Sequence, residues 1–153
     1  MENTGAGKSP FTKLHHVGVV VRDINKAIAF LESMGFGPFE AGGQKTLTIP
    51  FKGELHGRPA EWKTTISNAD MGGVELELLE PTEGAQALQE SLDAAGEGLH
   101  HIGVIVEDLD EALEQQTRAG AKVWTRSRMP GQRNFAYLAG TDIGNIAVEL
   151  RTP

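Results

Sequence analysis

Cysteine does not occur anywhere in this chain of 153 residues. Its absence excludes disulfide bonds, cysteine nucleophiles and thiolate metal ligands, and it is typical of the reducing cytoplasm, which is the location we expect. A bound metal ion would have to be held by imidazole, carboxylate or water ligands, and these suit the harder divalent ions.

Long apolar runs and an excess of basic residues are also missing. No stretch approaches the roughly 20 apolar residues of a membrane-spanning helix, and no charged start precedes an apolar stretch, so we expect neither a membrane partner nor a signal peptide. Asp and Glu number 21 against 14 Lys and Arg, which gives a net charge of -7. This balance argues against a nucleic-acid partner, because phosphate neutralisation dominates such binding.

One basic segment interrupts the acidic balance. Residues 121–134 contain four basic residues and no acidic one. The simpler interpretation is that this segment is a solvated basic loop. The alternative is that it binds an anionic substrate. In that case Arg126, Arg128 and Arg133 are the candidate substrate-binding residues.

The sequence contains an internal repeat. Residues 14–35 (LHHVGVVVRDINKAIAFLESMG) and 99–120 (LHHIGVIVEDLDEALEQQTRAG) align at a constant offset of 85, with 9 identities in 22 positions. A second match follows, between VELEL at 74–78 and IAVEL at 146–150, at an offset of 72. The second copy is therefore 13 residues shorter in its middle, and the extra length of the first copy lies around residues 42–61.

Each copy begins with a β-branched apolar stretch that predicts a buried strand, followed by an amphipathic helix. Asp23 and Asp108 occupy the predicted N-cap positions of these helices, and Gly35 and Gly120 follow their ends. Residues 44–57 have no clear assignment. Further strands are predicted at 38–41, 62–67, 73–80, 122–126, 134–138 and 145–151, and a linking helix at 85–95.

This pattern divides the chain into four parts. We expect a disordered tail at residues 1–10, a first half at 11–82, a linking helix within 83–98 and a second half at 99–153. The tail is polar and rich in glycine, which is typical of a disordered end.

Strand alternation separates the two histidines of each Leu-His-His run. His16 shares a strand face with the small Gly18, and the second copy repeats this arrangement at His101. The opposite faces carry His15 and His100, are otherwise apolar and should meet the helices. We therefore predict that the second histidine of each pair points to the concave side of the sheet.

The closing strands add two carboxylates, Glu77 and Glu149, on the face opposite their apolar residues. A carboxylate on a half-buried face is costly unless it is paired or bound to a metal. A lone His or Glu of this kind is more often structural, but repetition in both copies favours a site. The predicted metal ligands are His16, Glu77, His101 and Glu149. They would balance one divalent ion, among which Co, Mn, Ni, Zn and Mg are not distinguished, and leave positions for two substrate oxygens.

These residues resemble the vicinal oxygen chelate superfamily, which includes glyoxalase I, extradiol dioxygenases and methylmalonyl-CoA epimerase. The resemblance covers residues 14–151 and implies an α+β fold, in which two tandem βαβββ modules form a cup-shaped mixed sheet around one metal site. It also implies the same four ligands and a homodimer. Whether the modules pair within one chain or across a dimer is left open.

The methylmalonyl-CoA epimerases are most similar, through ELLEP at 77–81, GEGLHHIGVIVEDLDEAL at 96–113 and PGQRNFAYL at 130–138. This resemblance implies an isomerase that removes a proton α to a thioester and returns it on the opposite face, with a small molecule such as a CoA thioester as substrate. It supplies Glu149 and Glu61 as the two bases. Two alternatives stay open: a glyoxalase I-like lyase acting on a hemithioacetal, and a non-catalytic small-molecule-binding member of the superfamily.

Overall fold

The computed structural model describes residues 10–11 and 13–153. The tail expected to be disordered therefore lies outside the described residues, apart from Pro10. The chain passes twice through the order strand, helix and three strands, with one helix between the passes. In sequence these elements are β1 (His16–Val20), α1 (Ile24–Ser33), β2 (Leu47–Leu55), β3 (Arg58–Asp70), β4 (Glu75–Glu83), α2 (Ala87–Ala95), β5 (Gly98–Ile105), α3 (Leu109–Arg118), β6 (Val123–Ser127), β7 (Phe135–Leu138) and β8 (Ala147–Arg151).

The eight strands close into a barrel in the order β1-β4-β3-β2-β6-β7-β8-β5. Within each pass the first strand runs parallel to the last, as β1 with β4 and β5 with β8. Between the passes, β1 pairs antiparallel with β5 and β2 pairs antiparallel with β6. The mixed α+β sheet expected from the sequence is thus confirmed, and both seams between the passes close within one chain.

The prediction of a strand at residues 38–41 is wrong. That segment forms only isolated bridges, Glu40 with Asn68 and Ala41 with Gln44. The strand of this region is β2, in the segment that had no assignment. Its sequence, LTIPFKGEL, contains proline and glycine, which are depleted in strands and obscure its alternation. A nine-residue antiparallel ladder with β3 overrides this weak local preference.

Both predicted helix caps are confirmed. Asp23 accepts a hydrogen bond from the backbone N–H of Lys26 at 3.1 Å, and Asp108 accepts one from that of Glu111 at 3.0 Å. These bonds satisfy amide groups that the first turn of a helix leaves without partners. The linking helix begins at Ala87, two residues later than expected.

The helices pack on the outside of the barrel through apolar faces. Ile24 and Ile28 of α1 belong to a buried cluster with Leu78 of β4. Leu109 and Leu113 of α3 belong to the equivalent cluster with residues of β7 and β8. Leu78 of β4 and Leu150 of β8 therefore point outward against a helix, while the preceding residues, Glu77 and Glu149, point inward. In the described part of the chain, no helix has the length and apolar character needed to cross a membrane.

We predict that Asp23→Ala and Asp108→Ala each lower the free energy of unfolding by about 1 kcal/mol, because each removes the side-chain acceptor of a helix N-cap. Urea denaturation followed by circular dichroism measures the change. Glu114→Ala, which removes only an exposed pair with Arg118, should stay within about 0.5 kcal/mol of the parent chain. Equal stability of all three variants would contradict the capping role.

Candidate metal centre

Four side chains from four strands converge inside the barrel. His16 on β1, Glu77 on β4, His101 on β5 and Glu149 on β8 each place a ligand atom within 4.8 Å of the others. All four are buried, with exposed fractions of 0, 5, 0 and 3% respectively. We call these residues the His/Glu cluster. They are the four residues that the sequence predicted as metal ligands.

The carboxylate of Glu149 joins the two imidazoles. Its Oε2 lies 2.9 Å from Nε2 of His16 and 2.8 Å from Nε2 of His101. Oε1 of Glu77 lies 3.5 Å from Nε2 of His101. Although these atoms are close, Nε2 of His101 has no hydrogen-bond partner in an acceptable direction. Such an orphaned buried nitrogen, aimed with another imidazole at carboxylate oxygens, fits a divalent ion bound by nitrogen and oxygen ligands.

Two glycines make room for the two imidazoles. Strands β1 and β5 pair so that His16 lies opposite Gly103 and Gly18 lies opposite His101. A Cβ atom added at Gly18 would overlap the ring of His101, and one added at Gly103 would overlap the ring of His16. The histidine ring of one copy therefore fills the space left by the glycine of the other copy. This packing keeps both rings pointing into the barrel.

The cluster requires a positive charge at neutral pH. Burial alone would lower the pKa of His101, but Glu149 and Glu77 beside it raise that pKa to about 9. Burial would raise the pKa of Glu149, yet His101 and then His16 hold it well below its usual range. The buried anion of Glu149 is thus stabilised by a cation beside it, either a proton on His101 or a metal ion.

A hydrogen-bond chain fixes which nitrogen of His16 faces the cluster. Nη2 of Arg151 lies 3.0 Å from Nδ1 of His15, and a guanidinium can only donate, so this Nδ1 accepts. Burial and then Arg151 lower the pKa of His15, which keeps its ring neutral. Nδ1 of His16 lies 2.9 Å from the same Nδ1, so the two rings are held together at these nitrogens. This contact leaves Nε2 of His16 facing Oε2 of Glu149, at 2.9 Å.

The second copy repeats the contact without the arginine. Nδ1 of His100 lies 3.0 Å from Nδ1 of His101, while Nε2 of His100 is buried without a hydrogen-bond partner. Burial, followed by the neighbouring His101, lowers the pKa of His100 to about 3, so this ring is neutral. Its ring lies against Trp124 and Tyr137, with centroid distances of 5.4 and 4.9 Å. The first histidine of each pair therefore orients the second.

A cavity of about 340 Å³ opens onto the His/Glu cluster, and we call it the cup. One wall is aromatic, since Phe51 stacks on Trp62 at 5.7 Å and meets Phe135 edge-on at 5.4 Å. Most of the surface of the cup is apolar, and its charged side chains are two glutamates and two arginines. The side chains that line it are Ile49, Phe51, Trp62, Thr64, Ile66, Glu77, Leu79, Gln86, Ala87, Leu88, Thr125, Met129, Gln132, Arg133, Phe135, Tyr137, Glu149 and Arg151.

Three of the predicted site residues lie outside the cup. Glu61 is 76% exposed in its side chain and lies 3.9 Å from Lys52, because β3 turns Trp62 inward instead. Arg126 is paired with Asp110 and Arg128 with Glu54, each at 2.8 Å. The charges of these two arginines are therefore used in ion pairs outside the cup.

Arg133 is the one predicted substrate-binding residue that lines the cup. Sequence reasoning missed Arg151, which also lines it and stands two residues after Glu149 on β8. Strand parity could have found Arg151, because alternate residues of a strand share a face. It also missed Tyr137, which lies opposite Glu149 in the ladder of β7 and β8. Tyr137 is fully buried, and burial together with the nearby Glu149 raises its pKa well above its usual value, so its hydroxyl stays protonated.

Known proteins resemble this chain at two levels. Residues 14–137 match the family model described as Glyoxalase/Bleomycin resistance protein/Dioxygenase superfamily. The sequence is 28% identical over 146 residues to the uncharacterized protein YqjC of Bacillus subtilis (strain 168), covering 92% of each chain.

Solved structures share the fold. Methylmalonyl-CoA epimerase from Mycobacterium tuberculosis matches with a TM-score of 0.63 at 21% identity, over 98% of this chain and 93% of that one. A variant of the Streptomyces coelicolor methylmalonyl-CoA epimerase, in complex with 2-nitronate-propionyl-CoA, matches with a TM-score of 0.62 at 21% identity, over 93% of this chain and 94% of that one. At these identities the likeness establishes the architecture.

We predict that a divalent ion displaces a proton from His101, because imidazole coordinates only through a free lone pair. With a pKa of about 9, this ring is protonated below pH 9, so the apparent metal affinity should rise as the pH is raised towards 9. Titration calorimetry with Zn²⁺ in two buffers of different ionisation enthalpy measures both effects. His56→Ala, at an exposed pair with Glu90, should bind as the parent chain does, and stoichiometric binding by the double variant His101→Ala, Glu149→Ala would contradict the site.

We predict that Gly18→Ala displaces the ring of His101, lowering metal affinity at least about tenfold and unfolding free energy by about 1–3 kcal/mol. Metal content after dialysis and thermal melting measure the two effects. In the double variant Gly18→Ala, His101→Ala the added methyl group has room, so stability should partly recover while metal binding does not. Parent-like metal binding by Gly18→Ala would show that the ring has no need of this space.

Proposed function

Because the chain belongs to the glyoxalase/bleomycin resistance protein/dioxygenase superfamily, we propose that it is a metal-dependent isomerase that removes a proton from a carbon next to a thioester carbonyl. The observation that carries this proposal is the convergence of two imidazoles and two carboxylates on one point beside an apolar cup. When bound there, a divalent ion polarises a substrate carbonyl and stabilises the negative charge that proton removal creates.

Glu149 is the proposed base. It lines the cup, and its low pKa keeps it ionised at neutral pH, so it can accept a proton. His16 and His101 hold its Oε2 between them, which leaves the other carboxylate oxygen free to face a substrate carbon. Tyr137, protonated and buried beside His101, limits the water that reaches this carboxylate.

Glu77 replaces Glu61 in the proposed second role. Inversion at a carbon needs a group on each face of the molecule, one to remove the proton and one to return it. Among the described residues that line the cup, the carboxylates are Glu77 and Glu149. They hold equivalent positions, since Glu77 lies opposite Gly18 and Glu149 opposite Gly103 in the parallel ladders. Related positions in the two passes favour an approach to the substrate from opposite sides.

The substrate proposed for this reaction is an acyl thioester of the methylmalonyl-CoA type. A cup of about 340 Å³ suits a short acyl group with its carbonyl, and a CoA moiety would extend into solvent past the exposed Arg133. One structural neighbour is described as methylmalonyl-CoA epimerase in complex with methylmalonyl-CoA. The homodimer and the cytoplasmic location expected from the sequence form part of this proposal.

A glyoxalase I-like lyase is the second candidate. It is favoured by the position of Glu61 outside the cup and of Glu77 within the His/Glu cluster. If Glu77 serves only as a metal ligand, Glu149 alone remains to transfer the proton, and a hemithioacetal needs only one carboxylate to move a proton between adjacent carbons. The same metal ligands and Glu149 would serve that reaction. The two candidates differ in substrate and leave the His/Glu cluster unchanged.

We predict that the metal-loaded protein incorporates deuterium at the α carbon of methylmalonyl-CoA in heavy water, as measured by proton NMR. Glu149→Gln and Glu77→Gln should each slow the exchange by about 10²–10⁴-fold, since each removes a carboxylate that transfers the proton. Glu61→Gln should exchange at the parent rate, in contrast to the sequence expectation that Glu61 is a base.

Failure of exchange with the metal in place would overturn the epimerase proposal. Turnover of methylglyoxal with glutathione by that same preparation would then assign the lyase activity. Absence of both reactions in a metal-loaded protein would leave a binding role within the superfamily.

A further inference from the structure

Arg151 is a buried cation that the proposed reaction does not use. It is 8% exposed and lines the cup. It stands two residues after Glu149 on β8. Its Nη2 donates to Nδ1 of His15, and its Nη1 lies 3.8 Å from Oε2 of Glu77, which is an ion-pair distance but longer than a hydrogen bond. Its Nε is buried without a hydrogen-bond partner. The guanidinium therefore has donors to spare, and it shares its only neighbouring carboxylate among the described residues with the His/Glu cluster.

With a divalent ion bound, the charges of the His/Glu cluster leave Arg151 uncompensated. Glu77 and Glu149 supply two negative charges, and the ion balances both. The two imidazoles are neutral when they act as ligands, because each coordinates through a free lone pair. A buried guanidinium without an opposite charge is costly, so this arrangement favours an anion from outside the chain.

The partner position in the first copy is apolar. Arg151 lies opposite Phe135 in the ladder of β7 and β8, and Leu79 lies opposite Ile66 in the equivalent ladder of β3 and β4. Leu79 and Ile66 both line the cup. The duplicated scaffold thus presents a cation on one side of the His/Glu cluster and an aliphatic wall on the other. A ligand that matches both sides has one anionic group and an apolar body.

We propose that Arg151 binds a free carboxylate group of the substrate, so that the acyl thioesters on which this chain acts carry that carboxylate on an apolar body. This inference rests on the proposed function and narrows its substrate class. The planar fork of a guanidinium matches the two oxygens of a carboxylate, and a single uncompensated charge matches a monoanion. Arg133, exposed where it lines the cup, attracts the anion from solvent.

Titration calorimetry with 3-phenylpropionate and its neutral analogue 3-phenylpropionamide tests the proposal on the metal-loaded protein. We expect the acid to bind at least about tenfold more tightly than the amide. Loaded with a saturating concentration of Zn²⁺, Arg151→Met should lose this preference, and Arg151→Lys, which retains the charge but loses the fork, should keep part of it. Arg118→Met is the matched control, because Arg118 is a surface arginine paired with Glu114.

Three outcomes would overturn the proposal. The acid preference could survive in Arg151→Met, which would assign the carboxylate to the metal ion alone. Arg151→Met and Arg151→Lys could both match the parent chain, which would leave the arginine without a ligand role. Phenyl phosphate could bind more tightly than the acid in an Arg151-dependent way, which would assign a phosphate group instead.

The charge preference and the chemistry can fail separately. Deuterium exchange without any preference for the acid would overturn this inference and leave the isomerase proposal intact. An Arg151-dependent preference for the acid, without deuterium exchange or lyase turnover, would contradict the isomerase proposal and support the anion site. If Arg151→Met does not fold, the comparison of Arg151→Lys with Arg118→Met on the acid and amide decides the same question.

Discussion

The antiparallel pairing of β1 with β5 is the constraint on which the rest of the structure depends. In this register each inward histidine lies over a glycine of the opposite strand, His16 over Gly103 and His101 over Gly18. A slip of one residue in either strand would turn the inward histidine of that strand outward, because side chains alternate along a strand. It would also break the ladders that bring the glutamates of β4 and β8 beside these strands. One backbone register therefore assembles all four polar groups.

Burying these four polar groups costs free energy of hydration, and a cation beside the carboxylates offsets that cost. Carboxylates with exposed fractions of 5 and 3% lose nearly all of their hydration, which favours the neutral acid. His101 reverses this preference at Glu149 by holding a proton, and a divalent ion would reverse it more strongly. A site of this kind couples folding to cation binding, since the ion binds the folded cluster far better than the unfolded chain.

The sequence predicted what is repeated and local, and it missed what depends on long-range pairing. Strand parity separated His16 from His15 because a period of two needs no knowledge of the partner strand. β2 was missed because its pattern is interrupted by Pro50 and Gly53, and only its long pairing with β3 makes it a strand. The resemblance to the epimerases predicted Glu61 as a base, whereas β3 turns the neighbouring Trp62 into the cup.

The arginines show the same limit. A run of basic residues indicates a positive segment, but it does not reveal which charges are already paired. Arg126 and Arg128 meet acids from distant parts of the chain, and this cannot be read from their own neighbours. Arg151 follows the apolar and acidic residues of β8, so no run of basic residues marks it, and the barrel buries it.

Duplication explains the cluster, and departures from duplication explain the cup. The ligand positions obey the repeat, since each copy gives one histidine and one glutamate at matching registers. The residues around the ligands differ between the two copies. Tyr137 lies opposite Glu149, whereas Asn68 lies opposite Glu77 in the first copy. Arg151 occupies the position that Leu79 occupies in the first copy. A symmetric set of ligands can hold an ion but cannot orient an asymmetric molecule. Orientation must come from the unequal residues, so the differences between the copies, and not their shared motif, determine which substrate this barrel can hold in one productive direction.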